Sequence, residues 1–241
     1  MKWTRKPAKA PTQREIASPQ GWLSPTGYLL SEQLVAVNPT RAGAGSIATL
    51  AAEIIAQHLN LGRRGLALCG AAQGAGVTFL TTNLGMALAQ AGISTLIVDA
   101  SFEDPQLHEL FRPPEDLGGL RDLLADEAMT LSQVLHRDVV QGLSLLYAGR
   151  PARDAEAGLD VERLGVVAQA CLRDFDCTLF DTAPANRSTD ALTISASVGY
   201  ALLVARRDKS FAEDLGFLAD QLRQDGVTVI GSVFNGVSGR R

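Results

Sequence analysis

The clearest structural signal in this chain is Gly65-Leu-Ala-Leu-Cys-Gly-Ala-Ala-Gln-Gly-Ala-Gly-Val-Thr78. An apolar run comes first, a glycine-rich turn follows it, and a helical pattern then extends from Thr78 to Ala91. A buried strand, a tight loop and a helix in this order form the phosphate-binding unit of P-loop proteins. The sequence therefore predicts such a unit, with a strand over 65–70 and a helix over 78–91.

The loop departs from the usual pattern at its most strongly charged position. In G-x-x-x-x-G-K-[ST], backbone N–H groups cradle the phosphates, the lysine neutralises them, and the hydroxyl binds Mg²⁺. Ala71 replaces the first glycine and Val77 replaces the lysine. We therefore expect nucleotide binding to be weak or vestigial at the candidate residues Gly74, Ala75, Gly76, Val77 and Thr78.

Two further apolar runs end in carboxylates, Ser94–Asp99 and Cys177–Asp181. The carboxyl ends of parallel strands meet at the edge of a sheet where ligands bind, so both side chains should lie beside the loop. Thr78, Asp99 and Asp181 are thus candidate Mg²⁺ ligands. The residues alone leave a structural alternative open, in which the glycines only make a tight turn and Thr78 only caps the helix.

Apolar runs alternate with helical patterns along most of the chain, which predicts an α/β fold with a doubly wound, mainly parallel sheet between two helical layers. The remaining strands are predicted near 94–99, 143–148, 177–181, 198–205 and 227–234. The remaining helices are predicted from Ser46 and near 105–111, 118–125, 130–136, 159–173, 188–196 and 211–225. The segment 150–158 is the expected long loop.

Composition indicates one compact main domain. The 241 residues, 46% of them hydrophobic, suffice for a sizeable core. The net charge of −4 gives no general nucleic-acid footprint. No apolar stretch approaches the roughly 20 residues that span a bilayer. The 3 cysteines have no metal-ligand spacing, which favours free thiols in a reducing cytosol.

The N-terminal region differs from the rest in charge and pattern. Residues 1–45 are predicted to be a basic, largely disordered tail with a short packing segment, and 46–241 the domain that contains the P-loop. Met1–Pro19 carries five cations against Glu15 alone and shows no strand or helix period. Within the packing segment, Trp22, Tyr28 and Leu30 are expected to contact the domain at a place that the sequence does not specify.

Six segments, in order, resemble the bacterial tyrosine autokinases of capsule and exopolysaccharide synthesis, which are relatives of the MinD and ParA ATPases. These segments are Gln73–Gly92, Leu96–Phe111, Gly119–Leu124, Leu143–Gly149, Phe180–Pro184 and Val229–Asn235. The resemblance implies a MinD-like and ParA-like P-loop fold and an ATP or ADP site with Mg²⁺. It also places Asn235 on an asparagine that contacts adenine in relatives, although an asparagine before glycine is also ordinary turn chemistry.

The departures from the family predict lost chemistry. The family's Walker A′ motif resembles Asp-x-Asp followed by two arginines, and this chain keeps Asp99 but has Ser101, Glu103 and Asp104 at the other places. The last tyrosine is Tyr200, so the family's C-terminal tyrosine cluster is missing. The family's ring-forming E-x-x-R-x-x-R motif aligns with Gly45, Ala48 and Ala51, so a homo-oligomer of the family's ring type is not expected.

The leading hypothesis is a degenerate kinase-like subunit with no catalytic residues. The resemblance implies that it works in exopolysaccharide synthesis and export, on the cytoplasmic face of a Wzz-like membrane polysaccharide co-polymerase. With no fused span, the chain is expected to be cytoplasmic and peripheral to the inner membrane through that partner, without nucleic acid.

Two enzymatic alternatives remain. An active autokinase or ATPase would draw its missing cation from Arg206, Arg207 or Lys209, with Tyr28 or Tyr147 as unusual acceptors. A MinD-like or ParA-like positioning ATPase fits the fold but requires the lysines that the loop lacks.

Overall fold

A computed structural model of the protein describes residues 17–18, 21–38, 40–115, 118–149 and 159–236. The strands in these residues are β1 (Ala17–Ser18), β2 (Gly21–Leu23), β3 (Leu29–Leu30), β4 (Gly65–Gly70), β5 (Thr95–Ala100), β6 (Phe111–Arg112), β7 (His136–Val140), β8 (Leu143–Leu146), β9 (Cys177–Thr182), β10 (Tyr200–Arg206) and β11 (Thr228–Asn235). The α-helices are α1 (Ala44–Gln57), α2 (Val77–Gln90), α3 (Leu107–Leu110), α4 (Leu120–Ala125), α5 (Leu131–Val134), α6 (Val161–Asp174), α7 (Asp190–Val198) and α8 (Ala212–Gln224).

The main sheet has the strand order β11-β10-β4-β9-β5-β8-β7 within the described residues. All neighbours are parallel except β7, which runs antiparallel to β8 at one edge. Every residue of the central strands β4, β5 and β9 is buried. Strands buried on both faces read as continuous apolar runs, which is why the mainly parallel sheet was predictable and is confirmed.

The prediction of a helix over 130–136 was wrong at its C-terminal end. Helix α5 stops at Val134, and His136 begins the antiparallel strand β7. A short turn at Gln141–Gly142, with Gly142 at φ 79°, returns the chain into β8. No strand was predicted over 137–140, and pairing with β8 decides the local structure there.

Helices cover both faces of the sheet and give two separate cores, which confirms the three-layer arrangement. On one face α1 and α2 contribute side chains such as Ile47 and Leu84. On the other, α6, α7 and α8 contribute side chains such as Leu164 and Ile194. No helix in the described ranges combines the length and hydropathy needed to cross a membrane.

The segment from β2 to residue 38 packs on the domain at a place that the sequence did not reveal. Strand β3 pairs with β6, joining a small antiparallel sheet of order β1-β2-β3-β6. The Tyr28 hydroxyl and His136 Nδ1 lie 2.6 Å apart, and the Thr26 hydroxyl donates to the Val139 carbonyl at 2.6 Å. Ala17–Ser18 forms β1 inside the run that was predicted to lack a strand. Residues 1–16 of that run and the loop 150–158 lie outside the described residues.

His58, just after α1, is a buried histidine with only one satisfied ring nitrogen. Its Nε2 donates to the Gly65 carbonyl at 2.9 Å, whereas Nδ1 has no hydrogen-bond partner among the described residues. Burial lowers the pKa of His58, the Gly65 carbonyl raises it, and the Arg63 charge lowers it. The net direction is downward, so the folded protein resists protonation of this ring.

We expect the contribution of His58 to the free energy of unfolding to decrease as the pH falls below about 6.5, the ordinary histidine pKa. The folded pKa lies below the unfolded one, so His58's contribution is complete above that pH and is lost on acidification, when the unfolded chain binds the proton. Urea denaturation at a series of pH values should show that acidification changes the free energy of unfolding of His58→Phe more favourably than that of the wild type. The control is His108→Gln, which removes an imidazole from an exposed position. An unchanged slope in His58→Phe would assign the acid sensitivity to another group.

Candidate phosphate-binding site

The loop between β4 and α2 adopts a backbone that glycine makes possible. Gly74 and Gly76 have φ angles of 80° and 88°, in the left-handed region that other residues rarely adopt. Gly76 is the N-cap of α2, and a Cβ there would overlap the side-chain amide nitrogen of Asn235. Because α2 begins at Val77, Thr78 lies inside its first turn and does not cap it.

A cavity of about 410 Å³ opens directly over this loop. Its walls come from the loop and the start of α2, from the segment after β5, from the segment after β9, and from Arg206 at the end of β10. The N-terminus of α2 directs unpaired N–H groups and the positive end of the helix dipole toward this space. The backbone arrangement therefore fits a phosphate group.

Val77 adds no positive charge to this cavity, and its side chain belongs to the core. It is 8% exposed, and a Cβ placed on Gly70 would lie 2.9 Å from its Cγ2. An apolar side chain thus fills the space at the base of the loop.

Asp99 and Asp181 lie side by side below the cavity, as partners on the adjacent strands β5 and β9. Both are fully buried. Asp99 accepts the backbone N–H groups of Ser101 at 3.1 Å and Leu107 at 3.2 Å. Asp181 Oδ1 accepts the Thr81 hydroxyl at 3.3 Å, whereas Oδ2 has no hydrogen-bond partner among the described residues. Both carboxyls thus lie inside the protein, and neither is among the residues that line the cavity.

The environment of both carboxyls favours their protonated forms. Burial raises the pKa of Asp181, the Asp99 charge raises it further, and the Thr78 and Thr81 hydroxyls lower it. Burial also raises the pKa of Asp99, and backbone N–H groups partly oppose this. A bound cation would favour the ionised forms instead, because it supplies the missing positive charge.

The described residues form no dedicated protein cage for a metal ion. Within the described residues, no group of three or more His, Cys, Asp or Glu side chains could hold a metal ion. Mg²⁺ commonly takes one or two carboxylates and completes its shell with water and phosphate oxygens. Of the three predicted ligands, Thr78 lines the cavity, whereas Asp181 is fully buried and Asp99 already accepts two N–H groups.

The charged groups around the cavity are mixed in sign. Glu103, Asp104 and Glu109 line it together with Arg187 and Arg206. Arg206 Nη1 donates to the Gly74 carbonyl at 3.2 Å. Of the other two cations considered from the sequence, Arg207 pairs with Asp208 at 3.8 Å, and Lys209 is not among the described residues that line the cavity.

Sequence reasoning missed Arg187, which lies on the loop leaving β9. The available signal was its position just beyond the carboxyl end of a predicted strand, where ligand-binding residues concentrate.

Asn235 holds the loop through its side chain. Its amide nitrogen donates to the Ala75 carbonyl at 3.4 Å, and Gly76 leaves the space that this contact needs. The structure thus gives Asn235 a contact to the phosphate loop.

The two tyrosines considered as acceptors are both buried and hydrogen-bonded. Tyr147 donates to the Phe111 carbonyl at 2.6 Å, and the Tyr28 hydroxyl contacts His136. Each is 7% exposed. Phosphorylation of either would require the surrounding structure to open.

Comparison with known proteins gives consistent relatives by sequence and by fold. No family model matches the chain. The putative tyrosine-protein kinase EpsB of Ralstonia nicotianae is 33% identical over 171 residues, which cover 70% of this chain but 22% of that protein. The putative tyrosine-protein kinase CapB of Staphylococcus aureus is 28% identical, over 66% of this chain and 69% of its own length. The chain thus spans about a fifth of the length of EpsB.

Solved structures share the fold. The kinase domain of the Escherichia coli tyrosine kinase ETK superposes with a TM-score of 0.77 at 26% identity, over 86% of this chain and 81% of that one. The cell-division ATPase MinD of Pyrococcus furiosus superposes with a TM-score of 0.63 at 24% identity, over 71% of each chain. This likeness to MinD concerns the fold alone.

Proposed function

We propose that this chain is a non-catalytic, kinase-like subunit, because the relatives and solved structures that it resembles are bacterial tyrosine kinases. Its role is to regulate or scaffold a membrane polysaccharide co-polymerase in exopolysaccharide or capsule synthesis. The observation that carries the proposal is the buried, uncharged side chain of Val77 at the position of the phosphate-binding lysine.

The lost lysine affects turnover more than binding. One charge-assisted hydrogen bond contributes roughly 1.5–3 kcal/mol, so its absence weakens nucleotide binding by about one to two powers of ten. Phosphoryl transfer depends almost wholly on preorganised charge, and removing one such group costs about 10²–10³ in rate.

Acidic residues around the cavity add to this loss. Glu103 and Asp104 stand where the resemblance places arginines, and both line the cavity. They add negative charge where phosphoryl transfer needs positive charge. A subunit that retains the fold without this chemistry can still act through its surfaces.

The likeness to the bacterial tyrosine kinases supports a membrane-embedded partner. We propose that the chain docks on the cytoplasmic face of a Wzz-like co-polymerase, so that it is peripheral to the inner membrane. Nucleotide, where it binds, then acts as a ligand and is not consumed.

Purified protein tests the absence of catalysis directly. We expect no Mg²⁺-dependent release of phosphate from ATP and no phosphotyrosine, under conditions in which the ETK kinase domain serves as the positive control. Turnover that Asp181→Asn abolishes would refute the proposal, because that dependence excludes a contaminating ATPase.

Complementation separates a scaffold from an enzyme in the cell. In a strain that lacks this protein, wild type and Asp181→Asn should restore polysaccharide output equally. Restoration by wild type alone would show that the Asp181 carboxylate is required and would count against a purely scaffolding role.

An active enzyme is the second candidate, and Arg206 is the observation that favours it. Its guanidinium lines the cavity and donates to the loop at Gly74, so it is the best-placed substitute for the lysine. This candidate requires ATP turnover that Arg206→Ala abolishes and Arg207→Ala leaves intact.

A further inference from the structure

We propose that the cavity over the loop is a receptor for a nucleoside diphosphate, with Arg187 as its phosphate-binding cation, and that it discriminates against the triphosphate. The inference rests on the proposed non-catalytic function, because a receptor must hold its ligand unchanged. Three features of the site carry it.

The first feature is a cradle suited to two phosphate groups. In P-loops the backbone N–H groups hold the α- and β-phosphates, while the lysine reaches the β- and γ-phosphates. Gly74 and Gly76 keep the left-handed conformations of such a cradle, and the 14-residue helix α2 begins directly after it. Val77 removes the group that would hold the third phosphate. The backbone N–H contacts to two phosphate groups remain, so a diphosphate loses only the lysine contact to its β-phosphate.

The second feature is the way in which Arg187 is held beside this cradle. The loop after β9 is hydrogen-bonded to the base of the phosphate loop, since Ala185 N–H donates to the Gly70 carbonyl at 3.0 Å and Asn186 N–H to Ala71 at 3.2 Å. Arg187 follows immediately, and its own N–H donates to the Pro184 carbonyl at 2.9 Å. The backbone that carries Arg187 is thus tied to the cradle.

The Arg187 side chain is available for a ligand. It lines the cavity, and it makes no hydrogen bond or ion pair within the part of the chain that the structure describes. Arg206 lines the same cavity from β10 and uses Nη1 on Gly74. A guanidinium has five N–H donors in a planar fork that matches a phosphate. Two arginines can thus neutralise part of a diphosphate without a lysine in the loop.

The third feature is the acidic part of the cavity wall. Glu103, Asp104 and Glu109 supply three carboxylates against the two guanidiniums. A triphosphate brings one more phosphate group and more negative charge than a diphosphate, with no lysine to meet it. Like charges in a confined site repel, so the extra phosphate lowers affinity. The cavity thus binds a diphosphate more tightly than a triphosphate.

Competition against a fluorescent ADP analogue, in EDTA and in Mg²⁺, tests the inference on the intact chain. We expect unlabelled ADP to bind at least about fivefold more tightly than ATP, and Arg187→Ala to weaken ADP binding about tenfold. Arg223→Ala is the matched control: this exposed arginine pairs with Asp220 at 2.9 Å, away from the cavity, and its removal should change nothing. Glu103→Gln combined with Asp104→Asn should raise ATP affinity toward that of ADP.

The outcomes separate this inference from the proposed function. ATP binding as tightly as ADP, or no binding of either nucleotide, would overturn the receptor while leaving the non-catalytic role intact. An ADP preference that Arg187→Ala does not weaken would overturn the assignment of Arg187. Hydrolysis of ATP in the parallel assay would instead refute the non-catalytic function, whatever the order of affinities. Circular dichroism of each variant shows whether a lost affinity reflects misfolding.

Discussion

Val77→Lys should raise the affinity for ATP by about one to two powers of ten. The new ammonium would start from the first position of α2, where P-loops carry their phosphate-binding lysine, and a charge-assisted hydrogen bond contributes roughly 1.5–3 kcal/mol. Its flexible stem can leave the core and place the charge in the cavity. Titration with ATP in Mg²⁺ measures the gain, and the wild-type preference for ADP should shrink or reverse.

Val77→Met is the appropriate control, because it lengthens the side chain without charge and should leave ATP affinity nearly unchanged. ATP hydrolysis should stay absent in Val77→Lys, since Ser101, Glu103 and Asp104 still differ from the family motif. An affinity for ATP that Val77→Lys does not change would show that this loop is not the nucleotide site.

Gly119→Ala should destabilise the protein by about 3 kcal/mol or more, the range of severe overpacking. Gly119 precedes α4, and Leu120 N–H donates to the Tyr147 carbonyl at 2.7 Å. A Cβ on Gly119 would overlap the carbonyl oxygen of Tyr147 and the backbone nitrogen of Gly149. Backbone atoms on both sides cannot move without breaking the approach of α4 to the end of β8. Urea denaturation measures the loss.

Gly165→Ala provides the opposite expectation within the same protein. Gly165 lies inside α6, and a Cβ there would meet nothing within 4 Å. Alanine should stabilise this helix by roughly 0.5–1 kcal/mol, because it restricts the unfolded chain and favours the helix. If Gly119→Ala lowered the free energy of unfolding by less than about 1 kcal/mol, the backbone of Tyr147 and Gly149 would not lie as close to Gly119 as described.

The predicted parallel strands were accurate to within about two residues because their signal is local. Strands that are buried on both faces must be apolar along their whole length, as in Leu66–Gly70 and Thr95–Asp99. The same reasoning failed at His136–Val140, where the predicted helix extended to residue 136 and no strand was predicted. Pairing with β8 makes this segment a strand, and pairing is a property of two segments that neither one encodes alone.

The candidate site was likewise predictable only in part. Asp99 and Asp181 could be placed side by side from the sequence, because each ends a parallel strand and such ends meet at one edge. The different hydrogen-bond partners of the two carboxyls could not be predicted, since they are the backbone amides after β5 for Asp99 and a hydroxyl of α2 for Asp181.

By itself, the sequence determined the α/β fold, the position of the phosphate loop and the loss of its lysine, because a local pattern of apolar and glycine residues is enough to predict each of them. Only the tertiary structure decided that Arg187 and Arg206 share the cavity with Glu103 and Asp104, that Asn235 closes against Gly76, and that Tyr28 reaches His136. These contacts join residues far apart in the chain. Their geometry depends on how the layers pack, and no short-range sequence pattern determines that packing.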